Sequence, residues 1–178
     1  MLLGIQSRVA SLEGRIMTTP AGYTRTQIAL HWIAALLILQ QYLFKDAMSA
    51  AWEAFGDGLE TAFDPLVLAH VAGGGLVLLF ALWRLAIRRQ RGAPAIVGES
   101  AVQRMLATLT HLGLYALMIL MPVSGSVAWF GGVEAAAQGH SLLKIALLAL
   151  VALHVAGALW HQFVLKDGLI ARMRRAEG

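Results

Sequence analysis

The chain has no cysteine among its 178 residues. That excludes disulfides, iron–sulfur clusters, thiolate nucleophiles and haem attached covalently through a C-x-x-C-H motif. A metal centre built from this sequence has to use histidine. Charge is scarce as well: 13% of residues are Asp, Glu, Lys or Arg, where a soluble domain carries about a quarter. There is no nucleotide-binding glycine fingerprint, no acid–base dyad in a pocket-like context and no nucleic-acid module. Internal repeats and low-complexity tracts are also missing. What is abundant is apolar surface. Hydrophobic residues make up 58% of the chain and the mean hydropathy is +0.68, which implies one membrane-embedded domain with no room for a second.

Residues 1–16 are short and mildly amphipathic and lack both a long apolar core and an A-x-A cleavage site. They are not a signal peptide by that pattern. Residues 1–22 are expected to be an N-terminal extension or a cytoplasmic segment. In one reading Met17 is the native start. In the other, 1–16 form a helix on the membrane surface. Four apolar helices are expected, at about 26–44, 65–87, 105–130 and 140–165, inside a domain covering 23–175. Each is long enough to cross a hydrocarbon core of about 30 Å. The fold class is therefore an all-α membrane protein, a four-transmembrane-helix bundle.

Between helices 1 and 2 an acidic loop is expected over 45–64, with Asp46, Glu53, Asp57, Glu60 and Asp64 against Lys45. Asp64-Pro65 reads as an N-cap followed by proline at the first helical position. Helix 2 contains Gly73-Gly74-Gly75, and each glycine weakens a helix by about 1 kcal/mol relative to alanine. The offsetting gain is close approach, either by a neighbouring helix or by a flat cofactor. Pro122 should kink helix 3. A Gly-rich turn at 131–139 is expected before helix 4. Of the fourteen Lys and Arg, all but Lys45 and Lys144 lie in the N-terminal segment, the 2–3 loop region including Arg84, and the tail. The positive-inside rule then places both termini in the cytoplasm.

The most informative residues are six histidines: His31, His70, His111, His140, His154 and His161. The last helix alone holds three, at spacings of 14 and 7. At about 100° per residue, those steps keep His140, His154 and His161 on roughly one face. At about 1.5 Å per residue, His140 and His154 stand about 21 Å apart along the axis. Depth sorts all six. His70 and His140 lie near the outer ends of their helices, whereas His31, His111, His154 and His161 lie in the cytoplasmic half. A lone intramembrane histidine is usually a hydrogen-bonded core residue, and His111 and His161 individually fit that description. Six of them in four helices, sorted to two depths, suit a different role, because ionisable groups in lipid-spanning helices usually bind or move something.

Haem b is flat and apolar, and its iron takes one axial ligand on each face. Two neutral imidazoles from facing helices clamp such a ring and close both positions. A closed site transfers electrons, whereas an open one binds O₂. Each ligand's other ring nitrogen should donate to a carbonyl or carboxylate. A zinc site is disfavoured, because its usual ligands at bonding spacing are absent. Depth pairs His70 with His140. It leaves the partner of His31 open between His154 and His161.

YTRTQIALHW in helix 1, LAH followed by small residues in helix 2, HLGLYALMILMPVSG in helix 3 and HVAGALWHQFVLKDGLIARM at the end carry a family resemblance. Over about 23–175 the chain resembles the bacterial four-helix cytochrome b561 family of di-haem membrane proteins. The resemblance implies two haem b groups, one held by His31 and His154 and the other by His70 and His140. It associates His161 with quinone interaction and favours Met17 as initiator. Arg84, about 21 Å along helix 2 from His70, reaches the inner end, where it would hold a haem propionate or simply snorkel.

The implied function is a di-haem relay across the inner membrane, between a periplasmic partner and ubiquinone, with His161, His111 or Lys166 passing protons at the cytoplasmic edge. Members resembling superoxide oxidase take electrons from periplasmic superoxide. Here the outer loops carry six acids, counting Glu134, against Lys45 and Lys144. An anion is best drawn by positive potential, so superoxide chemistry would depend on Lys144, one turn from His140. A basic protein partner suits the acidic face at least as well. The alternative reading is a haem-bearing membrane anchor subunit of a larger dehydrogenase or hydrogenase complex. The simplest remaining one is a structural or transport protein whose histidines sense pH or contact metal.

Overall fold

A computed structural model describes residues 22–59, 62–92, 94 and 100–176. The N-terminal readings, including Met17 as a start and a surface helix over 1–16, fall outside these residues. The described chain is helical: α1 Arg25–Leu43, α2 Lys45–Gly56, α3 Pro65–Arg91, α4 Ala101–Gly131, α5 Glu134–Trp160, a π-helical turn His161–Leu165 and a short α6 Leu169–Arg172.

Local chemistry sets the helix starts. Thr24 and Gln27 form a capping box on α1, with Thr24 Oγ1 accepting from the Gln27 N–H at 3.2 Å and Gln27 Oε1 from the Thr24 N–H at 2.9 Å. Ser100 and Gln103 repeat it on α4 at 3.2 and 2.8 Å. Each box satisfies two orphan backbone donors. Asp64 Oδ1 accepts from the Leu66 N–H at 2.7 Å with Pro65 at the first position of α3, as its sequence indicates. α4 stops at Gly132, whose φ of 65° is the left-handed cap conformation. Pro122 sits inside α4, which continues past it to Gly131.

Against the expected 65–87 and 105–130, α3 runs on through Arg88, Arg89 and Arg91 and α4 starts early enough to take in Arg104, and two stretches expected to be irregular change character. The stretch expected to be an acidic loop over 45–64 contains α2. Its residues KDAMSAAWEAFG are good helix formers, and Met48, Trp52 and Phe55 recur at helical spacing. α2 follows α1 with a 52° bend. The expected Gly-rich turn at 131–139 shrinks, because Ala135, Ala136 and Ala137 extend α5 back to Glu134.

α4 packs on α5, α1 on α3 and α3 on α4, while α2 rests against α3. The buried centre is small: Val77, Ala81 and Met118, bordered by Leu37, Ile38 and Tyr115. Large apolar side chains such as Leu36, Leu79, Leu142 and Phe163 are exposed. That distribution is what a lipid solvent allows, because lipid tails are as apolar as leucine. Three helices, Pro65–Arg91, Ala101–Gly131 and Glu134–Leu165 with its π turn, are long and apolar enough to cross a membrane; α1 with α2 makes a fourth if that bent pair is one span.

Candidate functional site

Near the acid-rich end, α2, α3, α4 and α5 enclose a cavity of about 300 Å³, with α1 contributing Ile38, Gln41 and Tyr42. His70 from α3 and His140 from α5 both line it, their ring centroids 6.5 Å apart. His140 Nδ1 lies 3.0 Å from the Met121 carbonyl and 3.2 Å from Ser124 Oγ. Donation to the carbonyl puts the ring proton on Nδ1 and leaves the lone pair on Nε2. Gly125 makes room for that ring: a Cβ there would stand 3.1 Å from His140 Cε1. Among the described residues, no hydrogen bond of ordinary geometry reaches the buried His70 Nδ1 or Gln41 Nε2; the Gln41 backbone lies nearby. Lys144, one turn from His140, is also on the cavity wall, and its carbonyl accepts from the Tyr42 hydroxyl at 2.6 Å. Trp52 stacks on Phe55 at 5.6 Å, and Phe55 meets Trp129 at 6.4 Å. This cluster carries α2 over the cavity mouth.

The glycine run divides by role. A Cβ on Gly73 would collide with the side chains of Gln41 and Gln40 from α1, so this glycine admits a neighbouring helix. Gly74 and Gly75 line the cavity, and a Cβ on either would meet nothing within 4 Å.

The second cluster lies toward the arginine-rich end. His154 on α5 has the His31 ring at 6.0 Å and the His111 ring at 5.2 Å, the latter edge-on at 77°. His111 Nδ1 donates to the Ala107 carbonyl one turn back at 2.7 Å. Arg84 Nη2 lies 3.2 Å from His31 Nδ1, and its guanidinium carbon sits 5.5 Å from the centre of the Tyr115 ring. His161 Nδ1 lies 2.5 Å from Asp167 Oδ2. All six histidines are half-buried.

These spacings can be compared with what an iron would require. An imidazole nitrogen bound to a first-row metal sits about 2 Å from it, with the ring centre about 1.1 Å further back, so two rings facing one metal stand about 6.3 Å apart. The His31–His154 and His70–His140 separations match that distance, and His111–His154 is too close. Among the described residues, no three of His, Asp and Glu converge on a common point in the manner of a metal site. The donor set therefore fits a metal that brings its own equatorial ligands, as haem iron does.

The comparisons with known proteins agree. The model of the family described as prokaryotic cytochrome b561 matches residues 22–176. The chain belongs to the prokaryotic cytochrome b561 family. It is thereby a bacterial membrane protein of electron transport that carries haem b. Cytochrome b562 of Cereibacter sphaeroides is 41% identical over 159 residues, covering 89% of this chain and 99% of that one. The probable superoxide oxidase CybB of Yersinia pestis is 25% identical over 85% of this chain and 94% of its own. Cytochrome b561 homolog 1 of Escherichia coli is 27% identical over 85% and 96%.

The structure brings together His31 with His154 and His70 with His140, and puts Lys144 beside the second pair and Arg84 beside the first. Several neighbours escaped the sequence reading: Gly125, Ser124, the Met121 carbonyl, Gln41, Asp167 and the aromatic face of α2. Only α2 had a legible signal, in the 48, 52, 55 spacing. The others depend on helices meeting, or, for Asp167, on a break in helical spacing six residues after His161.

Proposed function

We propose that the chain is a di-haem b-type cytochrome of the inner membrane that relays electrons between a periplasmic redox partner and the ubiquinone pool. The observation that carries this reading is the presence of two histidine pairs, 6.0 and 6.5 Å between ring centres, each spaced for one iron and set at opposite ends of the bundle. In it, His31 and His154 hold one haem and His70 and His140 the other. Bound haem iron supplies a one-electron couple. The Met121 carbonyl keeps the His140 proton on Nδ1 and so offers Nε2 to iron. Gly74 and Gly75 leave a flat wall for the ring, and Arg84 supplies a cation for a propionate.

The same reading takes residues 23–175 as one haem-binding domain, with 1–22 ahead of it as an extension or cytoplasmic segment. α1, at about 28 Å for its 19 residues, crosses the membrane as the first of four spans, and α2 lies across the outer end. Both termini face the cytoplasm because the arginines gather at their end. His161 interacts with the quinone there. At the outer end Lys45 is paired with Asp46, which leaves Lys144 on the cavity wall to attract an anion. The likeness to a protein named as a probable superoxide oxidase supports superoxide as electron donor; the acids of α2 favour a basic protein.

The test is a reduced-minus-oxidised spectrum with haem quantitation on the purified protein. Two low-spin b haems per chain are expected, with His154→Ala losing one and His140→Ala the other. One haem or none in the native chain overturns the relay. Superoxide should then reduce the haems and ubiquinone reoxidise them. Failure of the first step with success of the second favours a protein redox partner over superoxide.

A further inference from the structure

The acid-rich end of the bundle holds two cations, Lys45 and Lys144, and both line the cavity that His70 and His140 share. Their surroundings differ. Lys45 is exposed, and its ammonium is paired with Asp46. Lys144 is half-buried in the wall, four residues along α5 from His140 and so on the same side of that helix. Its charge is felt at the His140 ring. Among the described residues its ammonium makes no ion pair or hydrogen bond, and Glu53, a carboxylate on the same wall, is not paired with it. The backbone beneath it is fixed, because the Lys144 carbonyl accepts from the Tyr42 hydroxyl at 2.6 Å and so ties this turn of α5 to α1. A half-buried ammonium among apolar helices is costly unless an anion meets it.

We propose that Lys144 holds a propionate carboxylate of the haem that His70 and His140 bind. The assignment rests on the di-haem reading above and names the anion that Lys144 attracts. Haem b is apolar over its faces and carries two carboxylates on one edge. His70 and His140 take the iron, so that edge is left for the polar part of the wall, where Lys144 is joined by Ser49, Ser126 and Ser141. The hydroxyls donate but carry no charge. An ammonium is a compact point charge with three donors on a flexible stem, which suits a carboxylate oxygen reached from one turn away. With its charge met in this way, Lys144 has little attraction left for a small anion from outside. Asp46 and Glu53 of α2 then set the field at the mouth, which suits a neutral or basic donor.

Lys144→Gln and Lys144→Arg in the full-length, haem-loaded protein test this. Resonance Raman spectra read the propionate bending band of each haem, and optical redox titration reads each potential. The haem concerned is the one lost in His140→Ala. In Lys144→Gln its propionate band should shift while that of the other haem stays. Its reduced-to-oxidised ratio at a fixed potential should fall about three- to tenfold, because loss of a cation favours the oxidised iron; that is about 30–60 mV at about 59 mV per tenfold for one electron. Lys144→Arg, which keeps the charge, should restore most of the potential. Should Lys144→Gln lose that haem outright, retention in Lys144→Arg supports the contact and loss in both overturns it. Unshifted propionate bands in Lys144→Gln overturn the assignment even if the potential falls, since a lysine that only snorkels near the ring gives that pattern. Unchanged bands with a slower reduction by superoxide, and a native advantage that salt removes, would make Lys144 a steering residue for an outside anion and overturn it as well. A native protein whose haem content does not fall in His140→Ala overturns the di-haem reading itself, which is a different outcome from a two-haem protein indifferent to Lys144→Gln.

Discussion

Arg84 Nη2 lies 3.2 Å from His31 Nδ1. A guanidinium only donates, so in this arrangement Nδ1 holds the lone pair and Nε2 the proton. Iron at Nε2 needs the reverse, with Nδ1 protonated. If His31 is a haem ligand, as proposed, Arg84 has to turn away from it when haem is bound, and a propionate would be its new partner.

On that proposal Arg84 would tune the potential of one haem. Removing a cation near the iron favours the oxidised state. Arg84→Leu should lower the midpoint potential of the inner haem by tens of millivolts, from a charge interaction on the order of 1 kcal/mol, with Arg84→Lys in between. Redox titration followed optically reads this. An unmoved potential in Arg84→Leu would remove the propionate role.

Gly125 should prove specific to the other haem. Its missing Cβ would stand 3.1 Å from Cε1 and 3.2 Å from Nδ1 of His140, tighter than ordinary van der Waals contact. In Gly125→Ala the ring must shift by a few tenths of an ångström, and in Gly125→Val by more. The expected result is partial loss of one b haem in the first and near-complete loss in the second, with the His31–His154 haem retained. Haem content per chain decides it, and equal loss of both haems would argue for general misfolding instead.

Gly74 tests the flat wall. A Cβ there meets no protein atom within 4 Å, so Gly74→Ala should stabilise the haem-free helix by up to about 1 kcal/mol. If a ring lies against that wall, the same change should weaken haem retention. Thermal melting of haem-free and loaded protein gives both numbers. A variant that gains stability in both states would mean that the glycine faces no cofactor.

Asp167 predicts an acid response. Burial works against its ionisation, but the hydrogen bonds from His161 and from the Leu169 N–H, with the charges of His161 and Arg172, outweigh it and hold the carboxyl below its ordinary value. A carboxyl with a lowered folded pKa contributes stability that is present above the unfolded value, about 3.9, and is lost as pH falls through the folded one. The carboxylate band of Asp167, identified in infrared spectra by its loss in Asp167→Asn, should therefore persist below pH 3.9. Protonation at or above that pH would contradict the pairing seen with His161.

The sequence alone determined the solvent, the long apolar helices and the two levels of the histidines. Composition decides burial in lipid, and rise per residue is a local property, so depth follows from counting. His140 and His154 are far apart because fourteen residues of one helix separate them. Counting is silent about azimuth between helices and about breaks within one. It left His31 with two partners. The folded chain sets His154 between His31 and His111, and draws His161 onto Asp167 through a π turn. It also folds the acidic stretch into α2, where Phe55, with Trp52 stacked on it, gains a place against Trp129 that no local propensity reveals. Which nitrogen keeps its proton at His31, His140 and His161 was decided last, by the guanidinium, carbonyl or carboxylate that folding placed beside it.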